Sequence, residues 1–374
     1  MTSALILTKA GYRVVLIEKA PVTGPMLRGF TCRGLQFDTG FHYTGDLGPG
    51  QLLTRLFRFL GLNKELQVYP FDSSGYDRFR CLEGNFEFRF PVGFEELKDR
   101  LISVFPGEKE AISAYLQAVA EVRSTCEDFL SEARDGQNIR PSSGNVSLKE
   151  FLDRLSNDRL FKGLLSYHSM LYGVASDQIP FFDHARVVGS YYQGGYGLKG
   201  GGLSLVRAFD ARLEEMGVSV ELGRGAEKLI LSSAGNIEGI RLEGGDLLQC
   251  RCCVSTIHPH QLLEVVPEGT FRPIYKKRLM HLEESASGWL LFAESSSPLD
   301  FLQGANLYLA DTPDAYERPA DGPLAQRPIY VSAAESHRPD REGLGLVALC
   351  MTSSHQRREW GGKATGGRST DCER

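Results

Sequence analysis

The amino-terminal segment combines a helical pattern, a continuous apolar run and a short alternating stretch. Residues 2–10 place apolar side chains on one side of a helix, and Gly11 is able to end that helix. The apolar run at 14–17 is typical of a parallel strand buried on both faces, and it ends in the acid Glu18. Because a carboxylate at the end of such a strand accepts hydrogen bonds from a nucleotide ribose, the pattern indicates half of a dinucleotide site.

A plain structural explanation accounts for the same stretch equally well. Glu18 and Lys19 would then be solvated residues at the end of one buried strand among many. The next segment favours the nucleotide site, since residues 29–40 predict a short hairpin that returns to a glycine-lined loop containing Asp38 and Gly40.

Beyond residue 50 the spacing of apolar residues changes between helical and strand-like periods. It predicts, in chain order, a helix over 51–61, a hairpin over 68–91, helical stretches over 94–133 and 147–172, and a polar loop over 137–145. The helical block up to residue 182 is rich in large apolar and aromatic side chains, so a long apolar ligand could lie against it. Core packing is nevertheless the better explanation for each single residue. His168 and His184 have no partner at metal-ligand spacing and are interpreted as structural.

A glycine-rich turn introduces the next region. Gly200, Gly201 and Gly202 precede a helical pattern and would leave bare backbone at the start of that helix. Strands are then predicted over 217–222, 226–231, 237–242, 247–254, 287–294, 306–309 and 344–351, followed by a polar glycine-rich tail over 355–374. The glycine run is weak evidence by itself, because such turns are common, whereas the order of elements is more specific.

Composition and charge narrow the class of protein. With 374 residues and 42% hydrophobic content, the chain is long enough for two domains. A net charge of -5 gives no reason to expect nucleic acid as a partner, and no apolar stretch approaches about 20 residues. Eight scattered cysteines favour a reduced, cytoplasmic setting, and Cys250, Cys252 and Cys253 are interpreted as too close together for a metal pair or a disulfide. Peripheral membrane contact stays open, and the sequence contains no indication of oligomeric state.

Three features of the amino-terminal segment together resemble a known flavoprotein family. The strand VVLIEK, the basic residue Arg28 and the stretch GLQFDTGFHYTG are similar to phytoene desaturases, carotenoid isomerases and retinol saturases. FDTGFHYTG resembles the retinol saturase and carotenoid isomerase branch most. The family's usual glycine-glycine-arginine turn is altered, since residues 22–26 keep one glycine, and Arg28 could take the place of the arginine.

The region 189–261 resembles the second nucleotide-facing segment of the same family, and its end, VSTIHPH, resembles the turn beside the cofactor crevice. Thr256, Ile257 and His258 depart from the family's turn, whereas Ser255, Pro259 and His260 keep it, and neither histidine is assigned a catalytic role. The resemblance implies FAD as cofactor and the following residues around it: Glu18, Lys19, Arg28, Asp38, Thr39, Gly40, Gly201, Gly202, Ala226 and Ser255. No metal is expected.

The resemblance also implies the fold class, a mixed α/β chain with a Rossmann-like FAD-binding domain and a substrate domain of helices and sheet. The FAD-binding domain is expected over 1–67 with 186–260, the substrate domain over 68–185 with 261–352, and a disordered tail over 353–374. The phosphate-binding G-x-G-x-x-G loop belongs immediately before residue 1. We therefore expect a chain truncated at both ends, with Met1 as a late start.

The expected activity is FAD-dependent oxidation, reduction or isomerisation of carbon–carbon double bonds in a hydrophobic polyene isoprenoid, carotenoid or retinoid. The chemistry would belong to the flavin, and the protein would supply orientation and an apolar tunnel. His42, beside the FDTG turn, is the weak catalytic candidate. Two alternatives stay open: an amine-oxidase-like flavoenzyme, and a non-catalytic fragment or isoprenoid-binding protein.

Overall fold

A computed structural model describes residues 1–128, 146–302, 304–336, 343–353 and 372–373 of the chain. The helices are α1 (Thr2–Lys9), α2 (Leu52–Leu60), α3 (Phe94–Val104), α4 (Lys109–Asp128), α5 (Leu148–Leu155), α6 (Arg159–Ser166), α7 (Ser169–Tyr172), α8 (Phe181–Tyr191), α9 (Gly201–Glu215), α10 (Pro259–Val265) and α11 (Pro273–Met280).

The strands are β1 (Val15–Glu18), β2 (Phe30–Cys32), β3 (Leu35–Phe37), β4 (Val68–Pro70), β5 (Asp77–Cys81), β6 (Phe86–Phe90), β7 (Tyr196–Leu198), β8 (Ser219–Leu222), β9 (Ala226–Leu231), β10 (Ile237–Leu242), β11 (Leu247–Gln249), β12 (Ser287–Glu294), β13 (Asn306–Ala310), β14 (Ile329–Ala333), β15 (Glu335–Ser336), β16 (Gly345–Thr352) and β17 (Cys372–Glu373). The mixed α/β class is confirmed. The predicted loop over 137–145 lies outside the described residues, as does the tail apart from residues 353 and 372–373.

A helix and a strand are among the predicted elements that differ from the observed ones. The helical stretch expected over 147–172 is three helices, because Ser156 is extended and the side chain of Asp158 starts α6 by accepting the Phe161 N–H at 2.9 Å. The strand expected over 247–254 ends at Gln249, where its ladder with Gly239 of β10 ends.

The chain divides into two compact units. The first contains residues 1–26, 60–62 and 205–284. In it β1 pairs in parallel with β8, so that Glu18 lies opposite Leu222. The strands β9, β10 and β11 form a separate antiparallel sheet with β10 in the centre.

The second unit contains residues 27–59, 63–204 and 285–374. Its main sheet has six strands in the order β12-β16-β14-β13-β5-β6, all antiparallel except the β13–β5 pair. Apolar residues of α3 to α8 and of this sheet share one core that is rich in buried tyrosine and phenylalanine. The hairpin of β2 and β3 pairs with the short strand β15.

A buried carboxyl group lies in the core of the second unit. Asp77 is fully buried and accepts hydrogen bonds from the Tyr43 hydroxyl at 2.7 Å, the Tyr167 hydroxyl at 3.0 Å and the Asn306 amide at 2.9 Å. Burial raises the pKa of Asp77 to about 7, and the three donors oppose that rise. Asp77 therefore changes between its protonated and its ionised form near neutral pH.

The bounds of the two units differ from those expected for the domains. Residues 27–59 lie in the second unit because β3 pairs with β15 and Thr44 pairs with Tyr196. Residues 261–284 lie in the first unit because α10 packs on β9 and α11 packs on α10. Which residues form the FAD-binding and substrate domains stays a prediction. Within the described ranges, no helix combines the length and the apolar character needed to cross a bilayer.

Packing around α6 generates a stability prediction. Gly163 is buried in α6, and a Cβ atom there would lie 2.6 Å from both Cβ and the carbonyl oxygen of Pro313. We expect Gly163→Ala to lower the free energy of unfolding by about 1–3 kcal/mol, because the overlap outweighs the better helix propensity of alanine. Denaturant unfolding of the purified protein measures the change.

The matched control is Gly107→Ala, since nothing lies within 4 Å of a Cβ atom at Gly107. It should leave stability unchanged or raise it by up to about 1 kcal/mol. Equal behaviour of the two variants would contradict the packing of α6 against Pro313.

Candidate functional site

A cavity of about 220 Å³ opens in the second unit at the ends of several strands. Its lining comes from the loop after β3, from β4 and its continuation, from the start of β13, and from β14 and β15. The side chains that determine its chemistry are Asp38, Phe41, His42, Tyr69, Phe71, Asn306, Ser332 and Glu335. Aromatic walls with a few convergent polar groups are the usual composition of a small-molecule site.

Asp38 is an acid of the cavity wall whose pKa is shifted by its surroundings. It is buried, and its Oδ1 accepts the backbone N–H of Gly202 at 2.9 Å. Burial raises the pKa of Asp38 from its ordinary value of 3.8 to about 7; the Gly202 hydrogen bond opposes this, and the charge of Glu335 adds to it. Asp38 therefore titrates close to neutral pH.

The glycines at the start of α9 have a steric function in the structure. A Cβ atom at Gly201 would overlap the Asp38 carboxyl group, and one at Gly202 would overlap the carbonyl oxygen of Leu27. Gly201 also has a φ of 59°, which disfavours other residues. The Gly202 N–H in the first turn of α9 therefore binds a protein carboxyl group. The expected role of Gly201 and Gly202 in holding the cofactor stays a prediction.

His42 lies in the cavity wall, with its ring centroid 5.6 Å from that of Tyr330. Burial lowers the pKa of His42 to about 4. The imidazole is therefore neutral at physiological pH. It can accept a hydrogen bond at one nitrogen, but it does not carry the additional proton that an acid catalyst would donate.

Glu335 contributes a second carboxyl group to the cavity lining. The Tyr69 hydroxyl donates to Oε1 of Glu335 at 2.5 Å, and burial together with the charge of Glu335 raises the pKa of Tyr69. Glu335 is the first residue of β15, opposite Gln36 of β3. This register places an acid from the far end of the sequence beside the FDTG loop.

Four of the expected cofactor residues lie in the first unit, namely Glu18, Lys19, Ala226 and Ser255. The backbone N–H of Ala20 donates to Oε1 of Glu18 at 2.8 Å, and among the described residues Oε2 of Glu18 has no hydrogen-bond partner. Lys19 forms an exposed ion pair of 2.7 Å with Glu243, whose other oxygen accepts the Gly225 N–H at 3.0 Å. The structure thus brings Glu18 and Lys19 near the start of β9, where Ala226 lies.

Of the remaining expected residues, Ser255 lies in the first unit and Arg28, Thr39 and Gly40 lie in the second. Ser255 is exposed in the segment before α10. Arg28 is half-buried, and its carbonyl oxygen accepts from the side chain of Gln36 at 3.1 Å. Thr39 and Gly40 follow Asp38 in the loop, Thr39 half-buried and Gly40 exposed. Their roles toward a cofactor stay predictions.

Sequence reasoning did not find Tyr69, Asn306 and Glu335. These residues follow no motif, and Tyr69 and Glu335 are 266 positions apart. Only strand pairing brings them to one cavity.

The clustered cysteines Cys250, Cys252 and Cys253 are free thiols, and their interpretation as unsuited to a metal pair or a disulfide stays a prediction. Cys250 and Cys253 are separated by two residues, and their sulfur atoms lie 3.5 Å apart. Burial, followed by the contact with Cys250, raises the pKa of Cys253 to about 12. The Cys253 thiol is therefore protonated and unreactive at neutral pH.

Sequence comparison identifies the class of protein. The family described as "Flavin containing amine oxidoreductase" matches residues 1–344, and the chain belongs to this family. Expectations of a flavoprotein oxidoreductase and of FAD as cofactor agree with that membership.

Particular relatives are similar to the chain at low identity. All-trans-retinol 13,14-reductase of Rattus norvegicus is 26% identical over 415 residues, which cover 100% of this chain and 67% of the relative. The enzyme of the same name from Homo sapiens is 29% identical over 271 residues, which cover 67% of this chain and 44% of the relative. The chain thus spans about half to two thirds of the length of these relatives. The expected resemblance to the retinol saturase branch is confirmed.

Solved structures show the same fold. An oxidoreductase from Methanosarcina mazei aligns with a TM-score of 0.70 at 18% identity, over 96% of this chain and 78% of that one. Wild-type putrescine oxidase bound to putrescine aligns with a TM-score of 0.63 at 13% identity, over 97% of this chain and 75% of that one.

One group of the first unit, the Glu18 carboxylate, fits the nucleotide part of a flavin cofactor. Oε2 of Glu18 has no hydrogen-bond partner among the described residues and belongs to a half-buried carboxylate at the carboxyl end of a parallel strand. Such an oxygen suits a ribose hydroxyl. Glu18 would hold the ribose, and the backbone at Ala226 would lie beside the adenine, as the resemblance implies.

The raised pKa of Asp38 predicts a pH-dependent stability. Between pH 3.8, the ordinary value, and about pH 7, the folded state holds a proton that the unfolded state has lost. Asp38 therefore favours folding most at low pH, and its contribution decreases as pH rises through this window. In Asp38→Asn the side chain no longer ionises, so the variant does not lose this contribution as pH rises. The free energy of unfolding of the variant minus that of the native protein should therefore increase from pH 4 to pH 7.

Denaturant unfolding at several pH values checks this, with Asp99→Asn as control. Asp99 is exposed on α3, so its variant should run parallel to the native protein. A difference between Asp38→Asn and the native protein that stays constant with pH would disprove the raised pKa.

Proposed function

We propose that this flavoprotein reduces a carbon–carbon double bond of a retinoid-class polyene with FAD as cofactor. The observation that carries the proposal is the cavity in which Asp38, an acid with a pKa near neutrality, lies among the aromatic side chains of Phe41, Tyr69 and Phe71. The names of the similar relatives support the substrate class.

Addition of hydrogen to a double bond requires a hydride and a proton. FAD in its reduced form supplies the hydride when it is bound. The proton has to come from a group that holds one near neutral pH and touches the cavity. Asp38 meets both conditions, whereas His42 does not, because its pKa is lowered to about 4.

The position of the proton on Asp38 follows from its hydrogen bond. Oδ1 accepts the Gly202 N–H, so the proton resides on Oδ2, from which a carbon atom of the substrate would receive it. The electron pair of the double bond forms the new C–H bond, and the carboxylate that remains keeps the Gly202 hydrogen bond, which stabilises it.

The aromatic wall would orient the polyene and exclude water. Phe71 stacks on Tyr43 with ring centroids 5.7 Å apart, and Tyr43 is itself bonded to Asp77, so this part of the wall is anchored in the core. The cavity volume of about 220 Å³ is below the roughly 300–1,000 Å³ of sites that enclose a whole ligand. We infer that the cavity takes the part of the polyene around the reacting bond.

A short amine is the second candidate substrate. Asp38 and Glu335 both line the cavity, and no lysine or arginine is among its described lining residues. Two acids without a cation favour an ammonium group, and the small volume suits a short chain. Oxidation of an amine would need Asp38 ionised, so activity on amines should rise with pH through about 7.

The domain roles and the location are part of the proposal. We expect Glu18 and its neighbours in the first unit to hold the FAD nucleotide and the cavity of the second unit to receive the substrate. Because retinoids dissolve in lipid, a cytoplasmic protein with peripheral membrane contact suits this substrate.

The test uses the protein purified with FAD and chemically reduced under anaerobic conditions. All-trans-retinol is added, and mass spectrometry follows a product that is heavier by two hydrogen atoms. Putrescine is offered in parallel to the oxidised protein, with hydrogen peroxide as readout. Product from retinol supports the proposal, peroxide from putrescine supports the second candidate, and inactivity toward both from a protein that retains FAD excludes both.

Asp38→Asn separates the proton-transfer role from binding. We expect the rate of retinoid reduction to fall by about 100-fold or more, because asparagine accepts the Gly202 hydrogen bond but has no acidic proton. Flavin absorbance should stay unchanged. Asp99→Asn is the matched control, and native-like turnover by Asp38→Asn would exclude Asp38 as the proton donor.

A further inference from the structure

A cluster of two histidines and one glutamate lies in the first unit, outside the cavity. His258, His260 and Glu284 each direct a ligand atom toward the others, and these atoms all lie within 4.8 Å of one another. We propose that the three side chains bind a divalent cation of the Zn²⁺ type. The proposal is independent of the flavin chemistry and of the substrate.

The backbone before α10 fixes the two imidazoles beside each other. His258 is the residue before the helix, Pro259 occupies its first position, and the Nδ1 atom of His258 accepts the backbone N–H of His260 at 3.3 Å. The two rings are 4.8 Å apart between centroids. Since Nδ1 of His258 is occupied, Nε2 is the atom left for a metal ion.

His260 provides the second observation. Its Nε2 atom is buried, and no atom of the described chain forms a hydrogen bond with it. A buried polar atom without a partner destabilises the folded state, and a metal–nitrogen bond would satisfy this nitrogen. This unsatisfied nitrogen belongs to the same three-residue cluster as His258 and Glu284.

The donor set determines the class of ion. Two imidazoles and a carboxylate are a common zinc ligand set that leaves one position for water. Ligand atoms about 2.1 Å from a tetrahedral ion are about 3.4 Å apart, so modest side-chain rotations would close the cluster around the ion. The helix dipole at the start of α10 opposes a cation only weakly in comparison with the free energy of zinc binding.

Binding would connect the turn before α10 to the end of the first unit, because Glu284 is the last residue of that unit. An ion that binds the folded state and not the unfolded state raises the melting temperature. Zn²⁺ should therefore stabilise the protein, and a chelator should reverse the effect.

The test is calorimetric titration of the FAD-loaded, untagged protein with ZnCl₂, accompanied by Co²⁺ absorption as a report of tetrahedral coordination. We expect His258→Ala and His260→Ala to weaken Zn²⁺ binding by about 100-fold or more, since removal of groups that merely orient a ligand already costs about 10–100-fold. Glu284→Gln, which keeps an oxygen donor without the charge, should weaken it less.

His281→Ala is the matched control, because His281 is an exposed histidine of the same unit whose Nδ1 lies 2.7 Å from the Lys277 carbonyl oxygen. It should bind Zn²⁺ like the native protein. Melting temperatures in EDTA show whether the variants are folded. Unchanged binding in His258→Ala and His260→Ala, or no binding by the native protein, would overturn the proposal.

A measurement without substitutions guards against variants that fail to fold. Diethyl pyrocarbonate modifies accessible imidazoles of the native protein, and mass spectrometry locates the modified residues. Zn²⁺ should protect His258 and leave His281 reactive. Equal protection of both, or of neither, would contradict a site at the start of α10.

Discussion

The burial of the Asp77 carboxyl group is the constraint on which the second unit depends. Its three donors, Tyr43, Tyr167 and Asn306, come from separate parts of the chain, and each loses a partner if the carboxyl group moves. A buried group left without its hydrogen bond costs about 1–3 kcal/mol, a large fraction of the stability of a domain. The network therefore selects one arrangement of the core around it.

The same hydrogen-bond network holds residues of the cavity wall in place. Asn306 donates a hydrogen bond to Asp77, accepts one from the Tyr330 hydroxyl at 3.0 Å, and is itself a lining residue of the cavity. Tyr330 in turn packs beside His42, and Tyr43 stacks with Phe71. A wall held in this way needs little reorganisation during a reaction, which is the condition for efficient orientation of a substrate.

Two buried acids with the same pKa direction thus differ in their surroundings. Asp77 is enclosed and has three donors, so its proton serves the fold. Asp38 has one backbone donor and borders the cavity, which is why the proposed reaction uses its proton. Similar titration therefore does not imply a similar role, and contact with the cavity is what separates the two acids.

The sequence by itself determined many of the helices and strands and the family, because helical and strand periods and the GLQFDTGFHYTG stretch are local patterns. It also placed Glu18 at the end of its strand and Asp38 in the FDTG loop. Only the tertiary structure decided that Glu335 and Tyr69 join Asp38, and that the glycines of α9 receive its carboxyl group, because strand pairing between distant segments leaves no local pattern. The pKa values of Asp38 and His42 were decided there as well, since burial, which no single residue type encodes, causes both shifts.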